Sequence, residues 1–275
     1  MKNKFLFLIL IILGCSKVTS YAQGDLLITP NRVVFEGRER KEVINLLNIG
    51  KETTTFSVSF VQRRMNEDGS FTVITTPSPG QMFADPYLRI YPRQVTLLPG
   101  EAQVIMLQLR RKSDMKLGEY RSHLYFRSEK NYSALGNEKE RTSKAVSVQL
   151  TPIFGISIPV IIRSGEVNGI AILDNLKLQN QQDTQFTFTL NRKGNRSIYG
   201  DFTVEYFPVK GKSYIIGVKK GVAIYTTISK RYMSIKLDKT PGMSLNKGML
   251  KLKYSSRSEN GKQEVYATEI LQLEI

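Results

Sequence analysis

The sequence is short of the side chains that form crosslinks and metal sites. Its 275 residues include one cysteine, Cys15, one histidine, His123, and no tryptophan. An intrachain disulfide needs two cysteines and is therefore impossible, and a zinc site built from Cys and His is excluded on the same inventory. No phosphate-binding GxxxxGK[ST] motif is present. We predict a non-enzymatic protein without metal or cofactor, with a catalytic carboxylate pair as the one formal exception.

Apolar runs long enough to span a bilayer are also absent. The run near the N-terminus begins at Phe5 and ends at Leu13, whereas a membrane-spanning helix needs about 20 residues. Because two lysines precede this run, residues 1–22 are typical of a secretory signal peptide. We predict cleavage after Ala22. The alternative is a lipobox over residues 12–15, which would make Cys15 a lipid anchor. In both cases the chain is predicted to leave the cytoplasm.

The sequence also lacks the apolar periodicity of amphipathic helices, and shows the alternation of β-strands instead. Short stretches of alternating apolar and polar residues are separated by turn residues, as in β-sandwiches. Before Ser164 we predict strands at residues 26–35, 42–48, 54–62, 71–75, 88–91, 102–109, 120–127 and 144–163. After it we predict strands at 169–173, 184–190, 200–206, 213–218, 222–226, 234–237, 249–254 and 265–273. The two sets predict an all-β protein with a first domain at residues 23–163 and a second at 164–275.

The stretch 144–163 has the longest alternation in the chain. Every even-numbered residue from Val146 to Ile162 is apolar, so an extended chain would carry one continuous apolar stripe. At roughly 3.3 Å per residue, the stretch is far longer than a typical strand of about 17–20 Å. It is either two strands broken at Pro152 or Gly155, or one edge strand whose first half binds a partner by strand addition. The polar loop 128–143 before it is either a flap that orders on binding or a mobile hairpin loop.

Five short motifs in the first predicted domain carry a family resemblance. They are NRVVFEG at residues 31–37, NLLNIG at 45–50, YPR at 91–93, LLPGEAQ at 97–103 and GEYRSHLYF at 118–126. Together with the long stretch that closes the domain, they resemble the periplasmic pilus-assembly chaperones of the chaperone–usher pathway, in particular the archaic branch. The resemblance covers residues 25–163 well. The second domain is similar only in position, size and β-content.

The resemblance implies a fold and a mechanism. The fold is two immunoglobulin-like β-sandwich domains in a boomerang arrangement. The implied mechanism is donor-strand complementation in the periplasm: the chaperone lends its last first-domain strand to an incomplete pilus subunit, stabilises the subunit and delivers it to an outer-membrane usher. The donor side chains implied by the stripe are Val146, Val148, Leu150, Pro152 and Phe154. Self-association through the same exposed edge strand is a further implied contact.

The resemblance also implies a binding site for the subunit's C-terminal carboxylate between the domains. Arg32 matches the first of two basic residues of that site, and a guanidinium can bind a carboxylate through two parallel hydrogen bonds. The second basic residue is missing, because residues 155–159 contain no Lys or Arg. Three alternatives follow: Arg32 acts alone, Arg121 or Arg163 substitutes, or Ser157 donates a hydrogen bond. His123 lies in an alternating strand and is predicted to be structural.

The positive charge of the chain is consistent with acidic partners. The net charge is +16, and removal of Lys2, Lys4 and Lys17 with the signal peptide leaves +13. No groove-reading or base-stacking motif accompanies this charge, so we predict no nucleic-acid binding. The alternative to a chaperone is a surface-exposed structural or adhesive tandem β-sandwich, such as a pilus subunit, adhesin or lipoprotein.

Overall fold

A computed structural model describes residues 26–113, 115–129, 155–180, 183–238, 243–257 and 263–273. This part of the chain is built from strands and one 3-10 turn, Asp85–Tyr87. No helix in it has the length and apolar character needed to cross a membrane. The prediction of an all-β fold is confirmed. The strands before the 165–168 turn are β1 Leu26–Thr29, β2 Val33–Phe35, β3 Lys41–Asn48, β4 Thr54–Met65, β5 Phe71–Ile74, β6 Leu88–Tyr91, β7 Gln94–Leu97, β8 Ala102–Leu109, β9 Gly118–Glu129 and β10 Gly155–Ser164.

These ten strands form the first sandwich. One sheet has the order β1-β3-β8-β6, and the other has the order β2-β10-β9-β4, with β5 and β7 both pairing with the long strand β4. The orders β1-β3-β8-β6 and β10-β9-β4 correspond to strands A-B-E-D and G-F-C of an immunoglobulin domain. The core between the sheets is apolar and includes Phe35, Ile44, Leu107, Phe126 and Val160.

The second sandwich follows directly. Its strands are β11 Gly169–Asn180, β12 Thr184–Gly194, β13 Ile198–Phe207, β14 Tyr214–Ile224, β15 Lys230–Lys236, β16 Gly248–Ser255 and β17 Val265–Leu273. The sheet orders are β11-β12-β15 and β14-β13-β16-β17, which again correspond to an immunoglobulin arrangement. Its separate core includes Phe202 and Tyr254, whose rings stack 4.2 Å apart. The chain is therefore two immunoglobulin-like sandwiches, as predicted.

Three predicted strands differ from those observed. The predicted strand 26–35 is two strands in different sheets, because β1 pairs with β3 whereas β2 pairs with β10. Pro30 lies between them and has no N–H to continue a ladder. The predicted strands 213–218 and 222–226 form the single strand β14, which pairs with β13 through a register shift near Gly200 and Phe202. Strand β7 was not predicted from the sequence, since its four residues follow the 91–93 motif too closely.

Several predictions concern residues outside the described part of the chain. The signal peptide at 1–22 lies there, as do the donor positions Val146, Val148, Leu150, Pro152 and Phe154 and residues 130–143 of the predicted loop 128–143. The first two residues of that predicted loop, Ser128 and Glu129, are the end of β9 instead. The structure does not decide between one long strand and two strands over 144–163, because residues 144–154 are outside the described part of the chain. Within the described residues, the second half of that stretch is β10, and Ile158, Val160 and Ile162 point into the first core.

The side chain of Asn48 joins two of the motifs that carry the family resemblance. Its Nδ2 atom donates hydrogen bonds to the carbonyl oxygens of Glu52 and Leu97, both at 2.9 Å. Its Oδ1 atom accepts one from the Gly50 N–H at 2.9 Å. Asn48 is fully buried, so these bonds replace water for groups that would otherwise be unsatisfied.

We predict that Asn48→Ala destabilises the first sandwich by about 2–4 kcal/mol, because each buried polar group left without a partner costs about 1–3 kcal/mol. The measurement is equilibrium unfolding in urea. Asn45→Ala is the matched control, since Asn45 lies three residues earlier in β3 and is exposed. Equal stability of the two variants would contradict this role of Asn48.

Candidate functional site

The two sandwiches meet along one face of β9. Residues of this strand alternate, and Tyr120, Leu124 and Phe126 belong to the first core. The opposite face carries Glu119, Arg121 and His123, and all three are buried. Their alternation with apolar residues in sequence is typical of a strand with one face in water. Here that face is covered by the second sandwich instead.

A buried carboxylate is at the centre of this interface. The side chain of Glu119 has no exposed surface. Its Oε2 atom accepts hydrogen bonds from the Ser197 backbone N–H at 3.0 Å and from the Ser197 hydroxyl at 2.8 Å. Its Oε1 atom accepts one from Arg121 at 2.6 Å, and Arg121 also donates to the Ser197 hydroxyl at 2.7 Å. Glu119, Arg121 and Ser197 thus form one hydrogen-bonded network across the two sandwiches.

The protonation of Glu119 follows from these contacts. Burial by itself raises the pKa of a carboxyl group. The positive charge of Arg121 and the hydrogen bonds from Ser197 act in the other direction, and the net result is a pKa below its ordinary value. Glu119 is therefore ionised at neutral pH, and its negative charge is held between the two sandwiches.

Aromatic rings extend the interface on one side. The guanidinium carbon of Arg121 lies 3.6 Å from the ring centroid of Tyr225, and the Nε2 atom of His123 lies 3.3 Å from the Tyr225 hydroxyl. Burial lowers the pKa of His123 to about 3, with the charge of Arg121 as a further cause. His123 is therefore neutral and packs edge-on against Phe71 at 5.9 Å. These contacts agree with a structural role for His123.

The β4–β5 hairpin also contacts the second sandwich. At the tip of the hairpin, the carbonyl oxygen of Glu67 accepts a hydrogen bond from the Tyr232 N–H at 2.7 Å. The carboxylate of Glu67 also lies 3.6 Å from the Lys230 amine. Gly69 has φ +86, and a side chain there would meet the guanidinium of Arg231. The two sandwiches are thus joined at β9 and at this hairpin.

Two cavities lie beside the interface, and Arg32 lines both. The smaller has a volume of about 240 Å³ and is bordered by Phe71, Pro159 and Tyr225 among others. The larger, about 750 Å³, is bordered by residues of both sandwiches. We call the larger one the cleft. Its charged lining residues are Arg32, Glu36, Glu39, Arg163, Arg196, Arg257 and Glu264.

Arg32 reaches the cleft because of its place in the chain. It immediately precedes β2, whose Val33 and Phe35 point into the first core, so Arg32 faces away from that core. Its guanidinium carbon lies 4.5 Å from the ring centroid of Tyr199 on the second sandwich. Among the described residues, no carboxylate lies within ion-pair distance of it. Burial and the like charge of Arg121 lower the pKa of Arg32 to about 10, so it stays positively charged at neutral pH.

The predicted substitutes for the second basic residue have other partners. Arg121 is committed to Glu119 and Ser197, as described above. Arg163 is buried and forms an ion pair with Glu36 at 2.5 Å. Ser157 lies in β10 opposite Tyr125 and is not among the described residues that line either cavity. Arg32 is thus the one predicted anchor that lines the cleft without a carboxylate partner in the described chain.

An open sheet edge begins beside Arg32. Strand β10 pairs with β9 along its whole length, from Gly155 to Ser164. On its other side, β2 pairs in parallel with only three of its residues, from Val160 to Ile162. No described strand pairs with the opposite edge of 155–159. Because Arg32 precedes the first paired residue of β2, it lies where this open edge starts.

Sequence reasoning missed part of the site. Tyr199, Arg196 and Arg257 were not singled out, since nothing near them in sequence connects them with Arg32. Glu119 was part of a family motif without an assigned role. A signal for Glu119 does exist in the sequence, because the Glu-x-Arg-x-His spacing within a strand places three polar groups on one face. Among the described residues, no group of three or more His, Cys, Asp or Glu could hold a metal ion.

Comparisons with known proteins give similarities in structure only. No protein-family model and no curated protein sequence matches the chain. Similar solved structures include the YadV chaperone, which is 12% identical in sequence and has a TM-score of 0.46. The match covers 90% of the present chain and 100% of the YadV chain. The Pseudomonas aeruginosa CupB2 chaperone has 12% identity, coverage of 90% and 100%, and a TM-score of 0.43. The CsuC–CsuE chaperone–tip subunit complex of Acinetobacter baumannii archaic Csu pili has 14% identity, coverage of 89% and 98%, and a TM-score of 0.46.

The buried network predicts a pH-dependent stability. Since the pKa of Glu119 is lower in the folded than in the unfolded state, its contribution is fully present above its unfolded pKa, about 4.3, and is lost as pH falls through the folded pKa. We predict that Glu119→Gln costs about 3–5 kcal/mol at pH 7, because it leaves Arg121 buried without its charge partner. The measurement is urea unfolding of both proteins from pH 7 to pH 3.

The difference in unfolding free energy between the wild type and Glu119→Gln should shrink as the pH falls below about 4. Glu52→Gln serves as the control, because Glu52 is exposed and should change stability little at any pH. A stability difference that stays constant across this pH range would show that the charge of Glu119 does not matter.

Proposed function

We propose that this protein is a non-enzymatic periplasmic chaperone that binds pilus subunits by donor-strand complementation and delivers them to an outer-membrane usher. The observation that carries the proposal is the open edge of β10 at residues 155–159, which begins beside Arg32, a cation with no carboxylate partner among the described residues. An open strand edge and a cationic group that could bind a carboxylate are thus next to each other. The delivery step rests on the family resemblance alone.

A partner strand on this edge would have a defined direction. It would occupy the same side of β10 as β2 and would end where β2 begins. If its C-terminal carboxylate reaches Arg32, the partner strand runs in the same direction as β10 and pairs with it in parallel. Its backbone N–H and C=O groups would then satisfy the free edge of 155–159, and this pairing supplies affinity that does not depend on the subunit's sequence.

The alternating side chains would supply selectivity. In β10 the even-numbered residues point into the first core. The same alternation continues towards the N-terminus through Val146, Val148, Leu150, Pro152 and Phe154, and these are the proposed donor side chains. Filling an apolar groove of a subunit with such a row gains roughly 1.5–3 kcal/mol for each large side chain that is fully buried. No nucleotide is needed, because subunit folding on the donated strand is itself favourable.

The donor row is tested by a substitution at its centre. We predict that Leu150→Asp abolishes recovery of the subunit, because a carboxylate in an apolar groove is strongly unfavourable. The experiment co-expresses the tagged chaperone with the small exported β-sandwich protein encoded nearest to it, and measures the one-to-one complex. Leu98→Asp is the control, since Leu98 is an exposed leucine in the turn before β8. Undiminished recovery with Leu150→Asp would overturn the donor assignment.

Arg32 is tested in the same complex. We predict that Arg32→Ala lowers the affinity for the subunit about 10- to 100-fold, as expected for the loss of a charge-assisted hydrogen bond of about 1.5–3 kcal/mol. Arg32→Lys should restore part of it, because lysine keeps the charge but not the paired donors. Arg38→Ala, an exposed arginine outside the cleft, should bind normally. Wild-type affinity of Arg32→Ala would remove Arg32 from the site.

A further inference from the structure

Two guanidinium groups from different sandwiches lie against one aromatic ring in the cleft. The guanidinium carbon of Arg32 is 4.5 Å from the ring centroid of Tyr199, and that of Arg257 is 5.6 Å from the same centroid. Both arginines line the cleft. The two guanidinium carbons are therefore no further apart than the sum of these two distances, and both side chains line the same cleft from different sandwiches.

The acidic side chains near the cleft do not form ion pairs that would prevent Arg32 and Arg257 from binding an anion together. Arg163 is paired with Glu36, and Arg121 with Glu119, so these two acids are already used. Glu39 accepts a hydrogen bond from the Glu36 N–H. The carboxylate of Glu264 also lines the cleft, but no ion pair joins it to Arg32 or Arg257 within the described chain.

Arg257 is only partly committed. Its Nε atom lies 3.4 Å from the Oδ1 atom of Asp201, and that oxygen also accepts a closer hydrogen bond, 2.7 Å, from the Gly221 N–H. The terminal nitrogens of Arg257 donate no hydrogen bond to another described residue. The side chain is 41% exposed, so these nitrogens can turn into the cleft at low cost.

We propose that Arg257 is the second cation of the carboxylate site, and that it holds the terminal carboxylate of the partner chain jointly with Arg32. The inference rests on the proposed function for the identity of the partner. It replaces the missing basic residue of β10 with one that follows β16 on the second sandwich. Tyr199 is the positioning residue, because its ring contacts both guanidinium groups and limits where they can point.

The arrangement has a consequence for the binding mechanism. If both cations were on the first sandwich, the carboxylate would be bound by that sandwich alone. With Arg32 on one sandwich and Arg257 on the other, the carboxylate bridges them. Binding then depends on the geometry that the Glu119 network imposes, and a bound subunit stabilises the contact between the sandwiches in return.

The first experiment uses the subunit complex. We expect Arg257→Gln to weaken subunit binding about tenfold, the order of one charge-assisted hydrogen bond, and Arg32→Gln/Arg257→Gln to lose less than the product of the two single effects, because the residues share one ligand. Arg110→Gln, an exposed arginine after β8, is the matched control. Unchanged binding by Arg257→Gln, with Arg32→Ala impaired, overturns this inference and leaves the proposed function intact.

The second experiment does not need the subunit. The probes are acetyl-tetraalanine with a free C-terminal carboxylate and the same peptide as its amide. We expect the free acid to shift the NMR signals of the Nε–H groups of both Arg32 and Arg257, and the amide to shift neither. A shift at Arg32 alone, or at neither arginine, overturns the joint site. If the wild type captures no subunit, the proposed function fails, and the peptide result still decides whether the two arginines share a carboxylate.

Discussion

The buried charge of Glu119 is the constraint on which the rest of the structure depends. A carboxylate without exposed surface is stable only if its oxygens are fully hydrogen-bonded, and the donors come from Arg121 on the same strand and Ser197 on the other sandwich. Hydrogen bonds are directional, so this contact fixes orientation more tightly than an apolar patch of equal area would. The walls of the cleft, and with them the distance from Arg32 to Tyr199, follow from that orientation.

The same region holds more positive than negative charge. Arg32 is influenced by the like charges of Arg121 and Arg163 and by the opposite charge of Glu119. Its lowered pKa is the signature of a cation that is buried and surrounded by other cations, and such perturbed groups are more frequent at functional sites. An anion entering the cleft would relieve this repulsion. For the proposed carboxylate ligand, relief of this repulsion would add to the free energy of binding.

The sequence predicted the fold better than the site, and the reason is physical. Alternation reports which residues of a strand share a face, and so the apolar face of β10 and the polar face of β9 were both visible. Alternation does not report what covers a polar face. Glu119 and Arg121 have the pattern of a solvated strand, yet they are buried because a turn of the second sandwich delivers Ser197 to them. Arg257 lies more than 200 residues from Arg32, and only the folded chain relates the two.

The open edge and the anchor have a common origin in the short strand β2. The chain leaves the first sheet after β1, crosses over residues 30–32, and joins the second sheet only from Val33 to Phe35. Pro30, which has no N–H for a ladder, limits how far β2 could extend towards the N-terminus, and Gly37, at φ +61, turns the chain away soon after β2 ends. A longer β2 would pair with residues 155–159 of β10 and close the edge. Because β2 is this short, no described strand pairs with that edge, and the residue that precedes the pairing is Arg32. The position of Arg32, the proposed carboxylate anchor, and the open edge of β10 are thus set by one feature of the backbone.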